Sequence, residues 1–124
     1  MTNERIDLGK KGEDLAVVYL KKNGYKILDR NVRTAYGEID IVAKERKTFC
    51  FVEVKMRGSD SCGSGLESIT ARKQKKIADT ALFYLQEKNL EDAEMRFDVI
   101  SIDPDENGFS QIDFIKSAFD VEIQ

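Results

Sequence analysis

Apolar residues recur along this chain with a helical period in two stretches and with a strand-like pattern in five others. Over residues 7–22, Leu8, Gly12, Leu15, Ala16, Tyr19 and Leu20 fall on one arc, and Asn23-Gly24 supplies a stop. A second helix is expected over 69–88, with Ile77, Ala78, Ala81, Leu82 and Leu85 as its buried stripe. Strands are expected over 25–33, 37–43 and 49–55, and again over 95–102 and 109–115. A Gly/Ser-rich loop fills 58–65, and a turn over 103–108 holds Pro104, the one proline of the chain. The order is αβββαββ, which implies an α/β fold with a mixed sheet flanked by helices. With 124 residues, one domain over 1–124 is expected.

The strand over 49–55 carries an unusual pattern. Phe49 and Phe51 share one face with Glu53 and Lys55, while Cys50, Val52 and Val54 are apolar on the other. Such a strand is buried on both sides, so charges at its end need a partner or a purpose. The preceding strand carries Glu38 and Asp40 at alternate positions. If the two strands form an antiparallel hairpin folding at Arg46-Lys47, Asp40 lies opposite Glu53 and Glu38 opposite Lys55. The turn has neither Gly nor Asn, so this register rests on the pattern alone. Two facing carboxylates, roughly 5 Å apart, repel. A hard divalent cation relieves that repulsion, because Mg²⁺ binds oxygen ligands through one or two carboxylates and keeps its waters. Lys55 then stands beside whatever the metal activates. The plainer reading is that Glu-x-Lys on a strand is a solvated face.

Composition narrows the chemistry. The chain has no histidine, which removes Ser-His-Asp and Cys-His catalysis and every His-liganded metal site. A carboxylate site favours Mg²⁺ or Mn²⁺ over zinc. Of the two cysteines, Cys50 reads as a core residue and Cys62 as an incidental thiol in the Gly/Ser loop. No stretch reaches the length of a membrane span, and the polar start is no signal peptide, so no membrane partner is expected and cytoplasmic residence is the default. The net charge of −3 hides an asymmetry. Residues 1–76 carry 17 Lys/Arg against 11 Asp/Glu, and residues 77–124 carry 3 against 12. A basic part that also holds the carboxylates suits a nucleic-acid surface, and the acidic part suits a protein-docking face.

Further residues are candidates for the same site. Glu13 lies at the edge of the first helix's buried face, as a further metal ligand or as a carboxylate favouring the helix N-terminus. Gln74 and Lys73 share the inward stripe of the second helix, and a buried-facing Gln needs hydrogen-bond partners. Lys10, Lys11, Arg57, Arg72, Lys73 and Lys76 are candidate phosphate contacts. Tyr36 either stacks on a base or packs at the strand edge.

The succession of Glu13 on a helix, Asp40-Ile41-Val42-Ala43, Glu53-Val54-Lys55 and Gln74 on a helix resembles the PD-(D/E)XK nuclease fold, closest to its archaeal Holliday-junction-resolvase type. The whole chain resembles the YraN-like family of uncharacterised bacterial proteins, through Gly9-x-x-Gly12-Glu13, Gly37-Glu38-Ile39-Asp40, Phe51-Val52-Glu53-Val54-Lys55, Arg57 and Arg96-Phe97-Asp98-Val99. The resemblance implies a restriction-endonuclease-like αβββαβ core with an extra C-terminal strand. It also implies Mg²⁺- or Mn²⁺-dependent cleavage of nucleic acid, DNA first, in repair or recombination. Asp40, Glu53 and the Val54 carbonyl would then ligate the metal with help from Glu13, and Lys55 would act on the attacking water. Glu38 either adds a ligand or pairs with Lys55. Junction-cutting members of that fold work as dimers, so a homodimer is the corresponding assembly. The competing expectation is a nucleic-acid-binding or protein-interaction module that keeps the fold without catalysis.

Overall fold

Glycine ends the first helix, α1 (Thr2–Lys22), as its position predicts. Gly24 takes a φ of +87°, its N–H donates to the Lys21 carbonyl at 3.2 Å, and the Tyr25 N–H reaches the Leu20 carbonyl at 3.0 Å. This left-handed stop satisfies carbonyls that a helix end leaves open. The computed structural model describes residues 2–56, 69–104 and 110–119, and for residues 2–10, 104 and 110 only the backbone is described. Lys10's side chain, Arg57, Cys62, the Gly/Ser loop over 58–65 and most of the turn after Pro104 thus lie outside the described residues.

Five strands follow the expected order around a second helix: β1 (Lys26–Arg33), β2 (Glu38–Glu45), β3 (Thr48–Met56), α2 (Ala71–Glu87), β4 (Glu94–Pro104) and β5 (Ser110–Ile115). They form one sheet in the order β1-β2-β3-β4-β5. The β3–β4 pair is parallel and the other pairs are antiparallel, which makes the sheet mixed. A parallel pair needs a crossover connection, and α2 lies in it. The arrangement is consistent with a restriction-endonuclease-like fold, with β5 added at the edge.

The sheet is covered on both faces. Ala16, Val17 and Leu20 of α1 pack with Ile41, Ala43, Cys50, Val52, Ile100 and Ile102. Ile77, Ala78, Ala81, Tyr84 and Leu85 of α2 pack with Val42, Phe49, Phe51, Phe97 and Val99. Successive residues of β3 therefore alternate between the two helices, which is why this strand is apolar on both sides. Cys50 is fully buried, and burial pushes its thiol up to about 11, in keeping with a core residue. No helix among the described residues is long and apolar enough to cross a membrane.

The hairpin register is the one the pattern predicts. Ile41 pairs with Val52, and the ladder runs to Glu45 opposite Thr48 around Arg46, whose φ is +55°. The ladder ends at Ile41, however, one step before the expected Asp40–Glu53 pair. Asp40's carboxylate itself accepts the Val54 N–H at 2.8 Å, so a side chain continues where the backbone ladder stops. The expected Glu38–Lys55 pairing is corrected on the same ground. Glu38 pairs instead with Arg33 of β1 in the backbone register, with an ionic contact of 3.7 Å, and Lys55 lies beside Ser101 of β4.

Candidate functional site

A loss of alternation in β1 and β2 shapes the site. Period-two geometry would put Ile39 and Ile41 on one face. Instead Ile39 joins the cluster under α2 and Ile41 the cluster under α1. Their partners on β1 do likewise: Val32, opposite Ile39, packs under α2, while Arg30, opposite Ile41, reaches α1. Asn31 and Asp40 stand between these two pairs, and Asn31 adopts a φ of +53°. Asparagine tolerates this left-handed conformation, and the coordinated rotation here leaves Asp40 at the fork between β2 and β3.

The carboxylates gathered at the fork are held very differently. Asp40 is half-buried, and its carboxyl is pushed up to about 6 by burial and then by the charge of Glu53. The bond from Val54 opposes that rise, and Glu13 adds to it. Glu53 is buried, with the Lys73 Nζ at 3.1 Å and the Lys55 Nζ at 3.8 Å from its Oε1. Burial and the neighbouring Lys73 hold the Lys55 ammonium below its ordinary range. Glu13, buried on α1, accepts from Arg30 Nε at 2.8 Å and from Asn31 Nδ2 at 3.1 Å. Asp14 takes the other side of the Arg30 guanidinium at 2.6 Å. Those two donors from β1 are what keep an acid buried there.

Asp40 and Glu53 line a cleft of about 580 Å³ whose far wall is the start of α2, with Arg72, Lys73 and Lys76. Thr70 caps that helix, its hydroxyl accepting the Lys73 N–H at 3.2 Å, which fixes the turn carrying these cations. Of the expected site residues, Asp40, Glu53 and Glu38 line the cleft, and Lys55 stands against Glu53. Glu13 acts on Asp40 from the α1 side. Gln74 is turned to the Ile69 carbonyl at 3.1 Å and is not among the residues lining the cleft. Tyr36 packs on Phe83, and Lys11 is exposed on α1.

Sequence reasoning placed Lys73 with the phosphate contacts but missed its direct contact with Glu53. It also missed Arg30 and Asn31, whose only signal was the polar run Asp29-Arg30-Asn31 interrupting the first strand. A cation fits the donor set, which is all oxygen. Among the described residues no group of three or more His, Cys, Asp or Glu side chains converges on one point. The two carboxylates lining the cleft, Asp40 and Glu53, are the kind of oxygen ligands through which Mg²⁺ binds while keeping several waters.

The sequence matches the model of the uncharacterised protein family UPF0102 over residues 12–102, the span from Glu13's helix to β4. A UPF0102 protein of Desulfosudis oleivorans is 45% identical over 99% of this chain and 98% of its own length. One of Syntrophotalea carbinolica is 44% identical over 98% of each chain. One of Persephonella marina is 46% identical over 92% of this chain and 94% of its own. The matched segment carries the fork, both lysines and the cationic turn of α2, and on these grounds the chain belongs to the UPF0102 family.

Proposed function

We propose that the protein is a metal-dependent endonuclease that hydrolyses phosphodiester bonds of DNA, with branched DNA in repair or recombination as its substrate class. One observation carries this reading: two carboxylates and two ammonium groups meet at the floor of a cleft whose other wall is cationic. Asp40, Glu53 and the Val54 carbonyl would hold Mg²⁺ or Mn²⁺, which lowers the pKa of a water and polarises the phosphoryl oxygen. Arg72 and Lys76 offer charge to the flanking phosphates. Lys55, half-buried and held below its ordinary range, donates to the attacking water or to the charge building on phosphorus. Glu13, fixed by Arg30 and Asn31, holds negative potential behind Asp40 and so favours a cation in front of it. Glu38 is two-thirds exposed at the rim and is placed to touch substrate rather than metal.

The test is cleavage of labelled duplex, branched and single-stranded DNA with Mg²⁺ or Mn²⁺, with Glu53→Gln run beside wild type. Cutting that needs the metal and is lost in Glu53→Gln is the expected result. A second reading, a binding module without catalysis, is favoured by the Lys73–Glu53 contact, which already neutralises one would-be ligand. Salt-sensitive DNA binding that is indifferent to Mg²⁺, with no cutting of any substrate, would decide for it.

A further inference from the structure

Among the described residues, the large apolar side chains left exposed are Val18, Tyr36 and Phe83, at 51, 52 and 38%. Two of the three touch. The Tyr36 and Phe83 rings lie 5.8 Å apart at 51° to one another and edge a hollow of about 240 Å³. An exposed aromatic pair costs solvation free energy unless something covers it.

The pair is built, not incidental. A tight turn holds Tyr36: the Thr34 N–H donates to the Gly37 carbonyl at 2.9 Å, and the Tyr36 N–H donates to the Thr34 hydroxyl at 3.1 Å. At Gly37 the chain passes so near α2 that a Cβ would sit 3.2 Å from the Thr80 hydroxyl and 3.4 Å from Lys76 Cβ. Glycine permits that approach, which sets Tyr36 against Phe83 and brings the start of β2 to the wall of the cleft.

Charge says what covers the rings. Arg72, Lys76 and Phe83 fall on one stripe of α2, four and then seven residues apart. Asp79, which lies between, is matched by Lys75 at 3.4 Å. A ligand lying along this stripe meets cations at one end and flat rings at the other, the combination that binds single-stranded nucleic acid. Two rings are also a small patch for a protein partner. From Lys76 to Phe83 the helix rises about 10 Å, a span of only a few nucleotides.

We propose that Tyr36 and Phe83 form a stacking platform for an unpaired base, a few nucleotides from the phosphate held at Lys76. This rests on the cleft being a nucleic-acid site, and it selects substrates with unpaired nucleotides, single strands or branch points, over continuous duplex. Bases inside a duplex are already stacked and cannot reach the rings.

The test is binding by the wild-type protein, without divalent metal, of single-stranded oligonucleotides carrying 2-aminopurine at successive positions. Quenching of the probe at a restricted position is expected. Tyr36→Ala and Phe83→Ala should each lose the quench and about tenfold in single-strand affinity, while affinity for continuous duplex holds. Tyr36→Phe should behave as wild type. If the alanine variants do not fold, Tyr36→Leu and Phe83→Leu keep apolar cover without a stacking face and should show the same loss. Salt-sensitive binding with no quench, unchanged in both variants, overturns the platform and leaves the cleft reading standing. No oligonucleotide binding at all overturns both. A concentration-dependent dimer lost in Phe83→Ala gives the patch to a second copy of the chain and overturns the platform.

Discussion

Asp40 is the residue on which the site turns. Its carboxyl is pushed up to about 6, against an ordinary value of about 3.9, first by burial and then by Glu53. Between those two values the folded chain binds more protons at Asp40 than the unfolded chain does. The contribution of this group to stability is therefore full below about pH 4 and is lost as pH rises through about 6. Asp40→Asn removes the charge and keeps an oxygen for the Val54 N–H. It should be more stable than wild type at pH 8, by on the order of 2 kcal/mol, with the difference vanishing near pH 4. Urea unfolding at both values checks this, and equal stability at pH 8 would mean that neither burial nor Glu53 strains the Asp40 carboxylate. That Asp40 comes near Glu53 was legible from the hairpin register, although the ladder stops one step short of pairing them and alternation fails around Asp40. The contact of Lys73 with Glu53 was not, because helical spacing tells which face a side chain leaves from and not where a long flexible one ends. Asn31 was illegible for a different reason: a single left-handed residue inside a strand leaves no periodic trace.

The elements themselves were readable because each has one dominant local cause. Gly24 stops α1, the doubly apolar run marks β3, and the stripe from Ile77 to Leu85 marks α2. What local pattern could not show is how the far end of the sheet is fastened. Asp98 on β4 is fully buried and accepts from Arg96 Nε at 2.8 Å and from the Ser117 N–H at 2.9 Å. Arg96 also reaches Glu45 at the end of β2, at 3.2 Å, and the Tyr25 hydroxyl, at 2.8 Å. One guanidinium thereby joins the α1–β1 junction, the β2 turn and β4, while Asp98 adds the chain after β5. Arg96 and Asp98 stand two apart on one strand face, visible as a charge pair, yet their three distant partners come only from tertiary structure. Removing one member of a buried pair leaves the other uncompensated, so Asp98→Ala should cost about 3 to 5 kcal/mol. A loss under 1 kcal/mol in denaturant unfolding would show that the network carries little. Asp98 stands opposite Val52, one residue from Glu53, but it alternates with Phe97 and Val99, which face α2. Its side chain therefore leaves the sheet on the face away from the cleft, so oligonucleotide affinity of the folded fraction should hold.

At the scale of the whole molecule, one sheet separates two helices that serve different ends. From α1 comes Glu13, buried and fixed, and from α2 come the cations and the exposed ring of Phe83. The mixed sheet and its flanking helices were legible from element order alone. The cleft was not, since it exists only where β2 leaves β3 and α2 closes over the gap. Lys73, 3.1 Å from Glu53, gives this architecture a logic of conjunction. Under the proposed reading, an arriving divalent cation would have to evict an ammonium already seated, and an arriving phosphate would offer that ammonium somewhere else to go. Linked equilibria are reciprocal, so whatever DNA does to cation affinity, the cation does to DNA affinity by the same factor. Calorimetric titration of Mg²⁺ should thus show tighter binding with an uncleavable oligonucleotide present, and Lys73→Met should erase most of the difference. Equal affinities with and without the oligonucleotide would dissolve the conjunction. A nuclease wired this way would stay idle amid free magnesium and arm itself only on the strand it is about to cut.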